Sequence, residues 1–289
     1  MLRRIGVYFK MIEAAHTVFA LPFALVGMFL ASFAGGLAYA LPCPRIIFFI
    51  LLAMVGARSA AMGFNRLADA KLDAMNPRTK DRAIPSGKVS RGQACALVAF
   101  SSLLLVFAAW KLNPLAFKLS PALLLFLFFY SYTKRFTWVS HFFLGACLGA
   151  APLAAWIAVA GEADARILSV CLAVMFWTAG FDVLYALQDI EFDRKTGLHS
   201  IPRFLGVEKS LWAARIFHLA MAMLLLLSYY LFGLGWLYLV GLFFCFAVLA
   251  YEHSIISKDD LSRLDMAFFN LNGVVSVAYC LFTYLDLTM

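Results

Sequence analysis

Long apolar stretches alternate with short polar connections along the whole chain. Each stretch is about as long as the roughly 20 apolar residues that a helix needs to cross a bilayer. Inside lipid a backbone must satisfy its own hydrogen-bonding groups, and a helix does so within one segment. The pattern therefore predicts nine transmembrane helices, at residues 16–41, 46–66, 93–111, 117–133, 139–160, 166–188, 210–232, 235–252 and 266–286.

The composition agrees with this pattern. Of the 289 residues, 64% are hydrophobic and 14% are charged, whereas a soluble domain has about 45–50% apolar and about 25% charged residues. The first apolar stretch exceeds the roughly 7–15 residues of a signal-peptide core, so we interpret it as the first membrane helix. We expect an all-α integral membrane protein with one domain, residues 1–289. Its six cysteines form no CxxC pair, and we expect neither disulfides nor a thiolate metal site.

Positive charges are concentrated in alternate connections. If the N-terminus is cytoplasmic and every stretch crosses, 18 of the 24 Lys and Arg residues lie on the cytoplasmic side and four on the other. Cytoplasmic loops are enriched in these residues, so topology explains the net charge of +8. We expect a lipid bilayer and no nucleic acid as partner; oligomeric state does not follow from this pattern. The predicted location is the bacterial inner (cytoplasmic) membrane, with the N-terminus and the long loops in the cytoplasm.

Two of the cytoplasmic connections, 65–92 and 188–209, are longer and more charged than the others. The first begins with NRLADAKLD, which starts at Asn65. The second reads YALQDIEFD from Tyr185 to Asp193. Each motif comes at the end of an even-numbered predicted helix, and this similarity suggests an internal duplication.

Each motif carries two aspartates four residues apart, Asp69 and Asp73 in the first and Asp189 and Asp193 in the second. Residues at i and i+4 share one face of a helix, so each pair projects two carboxylates in the same direction. Mg²⁺ prefers carboxylate, water and phosphate oxygens. We predict that these four residues bind Mg²⁺ together with a diphosphate group. Two ordinary solvated helix ends are the alternative.

Basic side chains accompany the acids, and Arg and Lys bind phosphate oxygens directly. Asn65 lies one turn before Asp69, and we predict that its side chain binds the diphosphate or a second substrate that accepts the transferred group. A general excess of positive charge in cytoplasmic loops is the alternative explanation for some of the bases. The candidate diphosphate-binding residues are Asn65, Arg66, Arg78, Arg82, Lys134 and Arg135.

Two charges lie deeper in the predicted helices. Arg58 precedes Asn65 by seven residues, and Asp182 precedes Asp189 by the same interval. Seven residues are about two turns, so each pair shares a helix face. An arginine inside the membrane is expected to face a cavity and an anionic partner. We predict that Arg58 binds a carboxylate on an acceptor, and a structural Arg58–Asp182 ion pair is the alternative.

These motifs resemble the UbiA superfamily of intramembrane aromatic prenyltransferases. The resemblance rests on NxxxDxxxD from Asn65, RTKDRAIPSGK from Arg78, YTKR from Tyr132 and DxxYAxxDxxxD from Asp182. It implies a helical barrel whose active site opens to the cytoplasm and laterally to lipid. It also implies that the two aspartate motifs bind Mg²⁺ and that Arg78, Arg82 and Lys134 contact the diphosphate.

Two further stretches are similar to the 4-hydroxybenzoate polyprenyltransferase-like branch. They are HTVFALPFAL, residues 16–25, and FDVLYALQDIEFDRKTGLHSIPRFLG, residues 181–206. That branch includes proteins of the futalosine route to menaquinone, whose acceptor is 1,4-dihydroxy-6-naphthoate, and the chain resembles this subgroup slightly more. Both acceptors carry a carboxylate, so Arg58 does not distinguish them.

The resemblance implies Mg²⁺-dependent transfer of a polyprenyl group from its diphosphate to one of these aromatic acids, in ubiquinone or menaquinone synthesis. Asp182, Tyr185 and Asp189 are the candidate catalytic residues: a carboxylate orients the phenol or accepts its proton, and the tyrosine ring stabilises the cation or bonds a carboxylate. Haem or lipid prenylation by another branch, and a transporter that uses Arg58 and Asp182, are the alternatives.

Overall fold

The computed structural model describes residues 6–8, 11–12, 17–37 and 40–289. Every regular element in these ranges is a helix. Three of the 18 bases assigned to the cytoplasmic side, Arg3, Arg4 and Lys10, lie outside these ranges, as does His16, the first residue of HTVFALPFAL. The chain divides into two compact units, Met1–Thr17 with Pro44–Tyr132, and Val18–Cys43 with Thr133–Met289. The prediction of one domain for residues 1–289 stays a prediction, and the two units are described separately.

The first unit is built on three long helices and one short one. They are α2 (Pro44–Ala68), α3 (Ala70–Met75), α4 (Arg91–Leu112) and α5 (Pro114–Thr133), whose last turn reaches the boundary of the unit. Gly56 lets α2 approach α4 closely, since a Cβ there would lie 2.7 Å from the backbone nitrogen of Leu105. Small residues at helix contacts are typical of membrane proteins. Helix α4 begins with a capping box in which the Ser90 hydroxyl accepts from the Gln93 backbone amide.

The second unit contains the remaining helices. They are α1 (Thr17–Ala34), α6 (Ser140–Ala160), α7 (Leu168–Ala186), α8 (Ile190–Thr196), α9 (Ile201–Leu205), α10 (Val207–Phe232), α11 (Trp236–Ile255) and α12 (Asn272–Thr288). An α-helical turn (Leu264–Met266) and a π-helical turn (Ala267–Leu271) lead directly into α12. Helices α6 and α7 pack with their backbones in close approach, because Cβ atoms at Gly145 and Gly149 would meet the carbonyl oxygens of Met175 and Cys171.

The prediction of about nine membrane helices is confirmed. Among the described residues, eight helices are long and apolar enough to cross a membrane, and a shorter apolar helix covers Phe19–Ala34. Large apolar side chains are exposed on the outer faces of these helices, for example Leu103 (70%) and Phe243 (78%). Such exposure suits contact with lipid, and the protein is a multi-pass membrane protein.

The first helix ends earlier than predicted, at Ala34 instead of residue 41. Gly36 has a left-handed backbone with φ +72°, which ends the helix. The Leu37 amide then donates to the Ser32 carbonyl, and the Gly36 amide donates to that of Phe33. This arrangement is a Schellman motif, and the Gly35-Gly36 pair is its signal in the sequence.

Candidate functional site

Both aspartate motifs lie on helices that break at the same position. Asp69 lies between α2 and α3 with φ −93° and ψ 2°. Asp189 ends a 3₁₀ turn (Leu187–Asp189) between α7 and α8, with φ −105° and ψ 4°. Both residues therefore adopt the sparsely populated bridge conformation, where active-site residues are often found. The matching breaks agree with the predicted duplication. Apart from these breaks the motifs are helical, although the sequence suggested that loops begin there.

In the first motif the break preserves the helical stacking of its polar residues. The Asp69 amide donates to the Asn65 carbonyl at 2.9 Å, and the Asp73 amide donates to the Asp69 carbonyl at 2.8 Å. The Asn65 side-chain amide donates to Asp69 Oδ2 at 3.3 Å and to Ser131 Oγ at 3.4 Å. Asn65 therefore orients the Asp69 carboxylate. Asp69 is buried, with 2% of its surface exposed.

Asp73 is buried, and its two carboxylate oxygens have different surroundings. Oδ1 accepts from Arg82 Nη1 at 2.6 Å, and the Thr79 hydroxyl donates to the Asp73 backbone carbonyl at 3.1 Å. Oδ2 is buried without a hydrogen-bond partner among the described residues. A buried carboxylate oxygen is normally satisfied, and coordination of a cation would satisfy this one. The residues therefore fit a metal ion.

The other predicted bases of the first unit are placed differently from one another. Arg78 is exposed, and its backbone amide donates to Asn76 Oδ1 at 2.9 Å. Arg66 is buried and its Nε donates to the Met11 carbonyl at 3.2 Å. Arg58 is half-buried on α2, two turns before Asn65, as the helical spacing predicted. Its assignment to the acceptor, like the diphosphate assignments, stays a prediction.

The second motif has a buried carboxylate of the same kind. Asp193 is 8% exposed, and its Oδ2 accepts from the Ser200 hydroxyl at 2.7 Å. Ser200 also caps α9, since its hydroxyl accepts from the Arg203 amide. Asp189 lies one turn before Asp193, so the two carboxylates carry like charges on neighbouring positions of the motif. Repulsion between two ionised carboxylates is relieved when a divalent cation binds both.

The connection after α5 is fixed to this second motif. The Lys134 carbonyl accepts from the His199 amide at 2.7 Å, and Lys134 and the adjacent Arg135 are both half-buried. The Lys134 backbone is therefore bonded to the segment that follows the second motif, and its assignment to the diphosphate stays a prediction. In the described ranges, no group of three or more His, Cys, Asp or Glu residues is arranged to hold a metal ion alone. Mg²⁺ commonly takes only one or two carboxylates and completes its shell with water and phosphate.

Asp182 has a partner that the sequence did not reveal. His141 Nδ1 lies 2.7 Å from Asp182 Oδ2, and the histidine is 4% exposed. His141 Nε2 accepts from the Ile201 backbone amide at 3.2 Å. Since Nε2 accepts, Nδ1 carries the proton and donates to the carboxylate. The two residues are 41 positions apart, and the only signal was a histidine at the start of an apolar helix.

We expect His141→Ala to reduce kcat of any reaction that uses Asp182 as a base by about tenfold, because the carboxylate loses its orienting donor. His141→Asn, which keeps an N–H donor, should lose less. Steady-state kinetics on both variants would measure kcat and KM for each substrate. A wild-type kcat in His141→Ala would contradict a role for this pair in the reaction.

Comparison with known proteins agrees with this geometry. The UbiA prenyltransferase family matches residues 20–274. A 4-hydroxybenzoate octaprenyltransferase of Vibrio campbellii is 32% identical over 245 residues, covering 83% of this chain and 85% of the relative. Another of that name, from Marinomonas sp., is 30% identical over 248 residues, with 84% of each chain covered.

Solved structures have the same fold. The apo structure of a UbiA homolog from Aeropyrum pernix K1 has a TM-score of 0.83 and 33% identity, covering 94% of this chain and 98% of the other. A UbiA homolog from Archaeoglobus fulgidus bound to GPP and Mg²⁺ has a TM-score of 0.70 and 17% identity, covering 98% and 100%. A transporter is no longer a competing interpretation. The chain belongs to the UbiA prenyltransferase family and is a prenyltransferase with multiple membrane-spanning helices.

Proposed function

We propose that the protein transfers a polyprenyl group from polyprenyl diphosphate to a carboxylated hydroxyaromatic acceptor in quinone synthesis. The observation that carries this proposal is the pair of matching helix breaks at Asp69 and Asp189, each followed by a buried carboxylate, Asp73 and Asp193. A hydrocarbon chain on the donor suits a protein whose helices lie in lipid. The reaction takes place at the inner membrane of a bacterium, with both motifs on the cytoplasmic side.

Mg²⁺ is the metal of this proposal: Asp69 and Asp73 would bind it in the first motif and Asp189 and Asp193 in the second, with water and diphosphate oxygens completing its coordination. The buried Asp73 Oδ2, which has no hydrogen-bond partner among the described residues, supports this assignment. The Archaeoglobus fulgidus relative was solved with GPP and Mg²⁺, which also supports it. When bound, Mg²⁺ stabilises the negative charge that the leaving diphosphate acquires.

The bases complete the diphosphate-binding set. Arg82 is held by Asp73 at 2.6 Å, and Lys134 lies near Asp193, so each acidic motif has a cation beside it. Arg78, Arg135 and Asn65 supply further donors to the phosphate oxygens. Arg66 donates from Nε to the Met11 carbonyl. We include Arg66 among the diphosphate-binding residues, with this second contact to Met11.

The chemical step follows from these assignments. The C–O bond of the donor breaks, its electron pair leaves with the diphosphate, and an allylic carbocation remains. A ring carbon beside the phenolic hydroxyl forms the new C–C bond and then loses its proton to Asp182 or Asp189. His141 orients Asp182 for this role. The Tyr185 ring stabilises the cation by contact with its π-electrons, and exclusion of water prevents hydrolysis.

Arg58 binds the carboxylate of the acceptor in this proposal, with Asn65 two turns further along the same helix. The relatives at 30% and 32% identity are named 4-hydroxybenzoate octaprenyltransferases, and this favours 4-hydroxybenzoate over 1,4-dihydroxy-6-naphthoate. A carboxylate-binding role for Arg58 disfavours acceptors that lack an acidic group.

The acceptor is tested by offering membranes that contain the protein equal amounts of 4-hydroxybenzoate and 1,4-dihydroxy-6-naphthoate with a polyprenyl diphosphate. Mass spectrometry identifies the products. We expect prenylated 4-hydroxybenzoate to exceed the naphthoate product by about tenfold or more. A small difference in the fit of a substrate to its pocket typically gives discrimination of this size. A predominant naphthoate product would assign the chain to the menaquinone route, and no product from either acid would contradict the proposal.

A further inference from the structure

A buried polar network joins three membrane helices of the second unit. Trp177 on α7 donates from Nε1 to Asn272 Oδ1 at 2.7 Å, and Asn272 on α12 donates from Nδ2 to Glu252 Oε2 on α11 at 2.8 Å. All three residues are 0% exposed. The proposed reaction uses none of them. Ionisable and polar side chains are costly to bury inside a membrane helix bundle, and where they occur they often mark a functional site.

The same asparagine stabilises an unusual turn of backbone. Asn272 Nδ2 also donates to the Ala267 carbonyl at 3.0 Å, and this carbonyl begins the π-helical turn Ala267–Leu271. A π-helical turn holds one residue more than the corresponding α-helix and frequently occurs at functional sites. Its wide ring weakens the regular hydrogen bonding, which the Asn272 side chain here supplements.

The π-helical turn determines where Phe268 points. The Phe268 ring stacks on the Tyr185 ring with centroids 4.2 Å apart and 28° between the planes. Phe268 also packs edge-on against Phe181 at 5.3 Å, and Phe181 packs against Trp177 at 4.9 Å. Phe268 is the second residue of the turn. If the turn relaxed to an α-helix, Phe268 and the residues before it would rotate by up to about 100° around the axis, and the Phe268 ring would leave the Tyr185 ring.

We propose that Asn272 and Glu252 are positioning residues for prenyl transfer. They hold the π-helical turn that presses Phe268 onto Tyr185, and they thereby fix the tyrosine ring against the reacting allylic cation. The inference rests on the proposed function, because it gives Tyr185 its role there. A misplaced tyrosine would leave the cation exposed to water, so part of the donor would be hydrolysed to prenyl alcohol.

The test compares Asn272→Ala with Asn270→Ala, since Asn270 lies in the same turn but is exposed. Each variant is purified, its folded fraction is measured by size-exclusion chromatography, and labelled prenyl diphosphate is followed into prenylated acid and prenyl alcohol. For Asn272→Ala we expect about tenfold lower kcat per folded molecule, from one lost buried hydrogen-bond network. We also expect a several-fold higher alcohol fraction. Asn270→Ala should match the wild type in both.

A second pair covers the case in which Asn272→Ala does not fold. Phe268→Leu removes the ring that stacks on Tyr185, and Phe269→Leu changes its neighbour, which is 36% exposed. The alcohol fraction should rise only in Phe268→Leu. Glu252→Gln, which keeps an acceptor for Asn272, should retain more transfer than Glu252→Leu.

The outcomes separate the two proposals. No prenylated acid from the wild type would contradict the proposed function. Normal transfer by the wild type, with an unchanged alcohol fraction in both Asn272→Ala and Phe268→Leu, would overturn the positioning inference alone. Lower activity that only follows the folded fraction would assign the network to stability and would overturn it as well.

Discussion

Asp69→Ala and Asp189→Ala are each expected to lower kcat/KM for prenyl transfer by about a thousandfold or more, while the protein still inserts and folds. Removing a group that stabilises charge in the transition state typically costs two to three orders of magnitude. The loss here also weakens Mg²⁺ binding, because each variant takes one carboxylate from the proposed site. Raising the Mg²⁺ concentration should recover only part of the activity.

Matched controls lie beside both residues. Asp81 is exposed in the loop that follows the first motif, and Glu191 is exposed in the second, where it pairs with Arg194. Asp81→Ala and Glu191→Ala remove one negative charge each from the same regions and should stay within about twofold of wild type, as exposed charges contribute little. Full activity in Asp69→Ala or Asp189→Ala would contradict the metal-binding assignment.

Arg58→Leu is expected to raise KM for a carboxylated acceptor by about a hundredfold and to leave KM for the prenyl diphosphate within about twofold. Loss of one partner from a desolvated charge pair costs about 2–5 kcal/mol, and a factor of one hundred corresponds to about 2.7 kcal/mol. Arg58 is half-buried on α2, so solvent screens this interaction only in part.

Two comparisons make this prediction specific. Arg45 is exposed at the start of the same helix, where it donates to the Lys111 carbonyl at 2.8 Å, and Arg45→Leu should leave both KM values unchanged. A phenolic acceptor without a carboxylate should react equally slowly with the wild type and Arg58→Leu. An equal rise in KM for donor and acceptor in Arg58→Leu would contradict a specific role of this arginine in binding the acceptor.

The membrane helices could be predicted because their signal is local. A run of about 20 apolar residues is sufficient evidence for a spanning helix, and the predicted segments match the helices found. The ends of helices depend on single residues, and the left-handed Gly36 shortened the first helix to Ala34. The aspartate pairs could be predicted from local sequence as well, because residues four apart on a helix lie on the same face.

The partners of the deeper polar residues could not be predicted, because they come from distant parts of the chain. Asp182 pairs with His141 across 41 positions, and Asn272 pairs with Glu252 across 20. In each case the sequence shows polar residues within a mostly apolar segment and gives no indication of their partners. Which polar residues meet depends on how helices pack, and spacing within one helix does not determine that.

The central claim is tested most directly by one assay on the purified wild-type protein. Labelled polyprenyl diphosphate and 4-hydroxybenzoate are incubated with Mg²⁺ or with excess EDTA, and both the ring-prenylated acid and free diphosphate are measured. The account predicts equal amounts of the two products with Mg²⁺ and neither with EDTA. Prenylated acid formed equally well in EDTA, or diphosphate released without any prenylated acid, would contradict it.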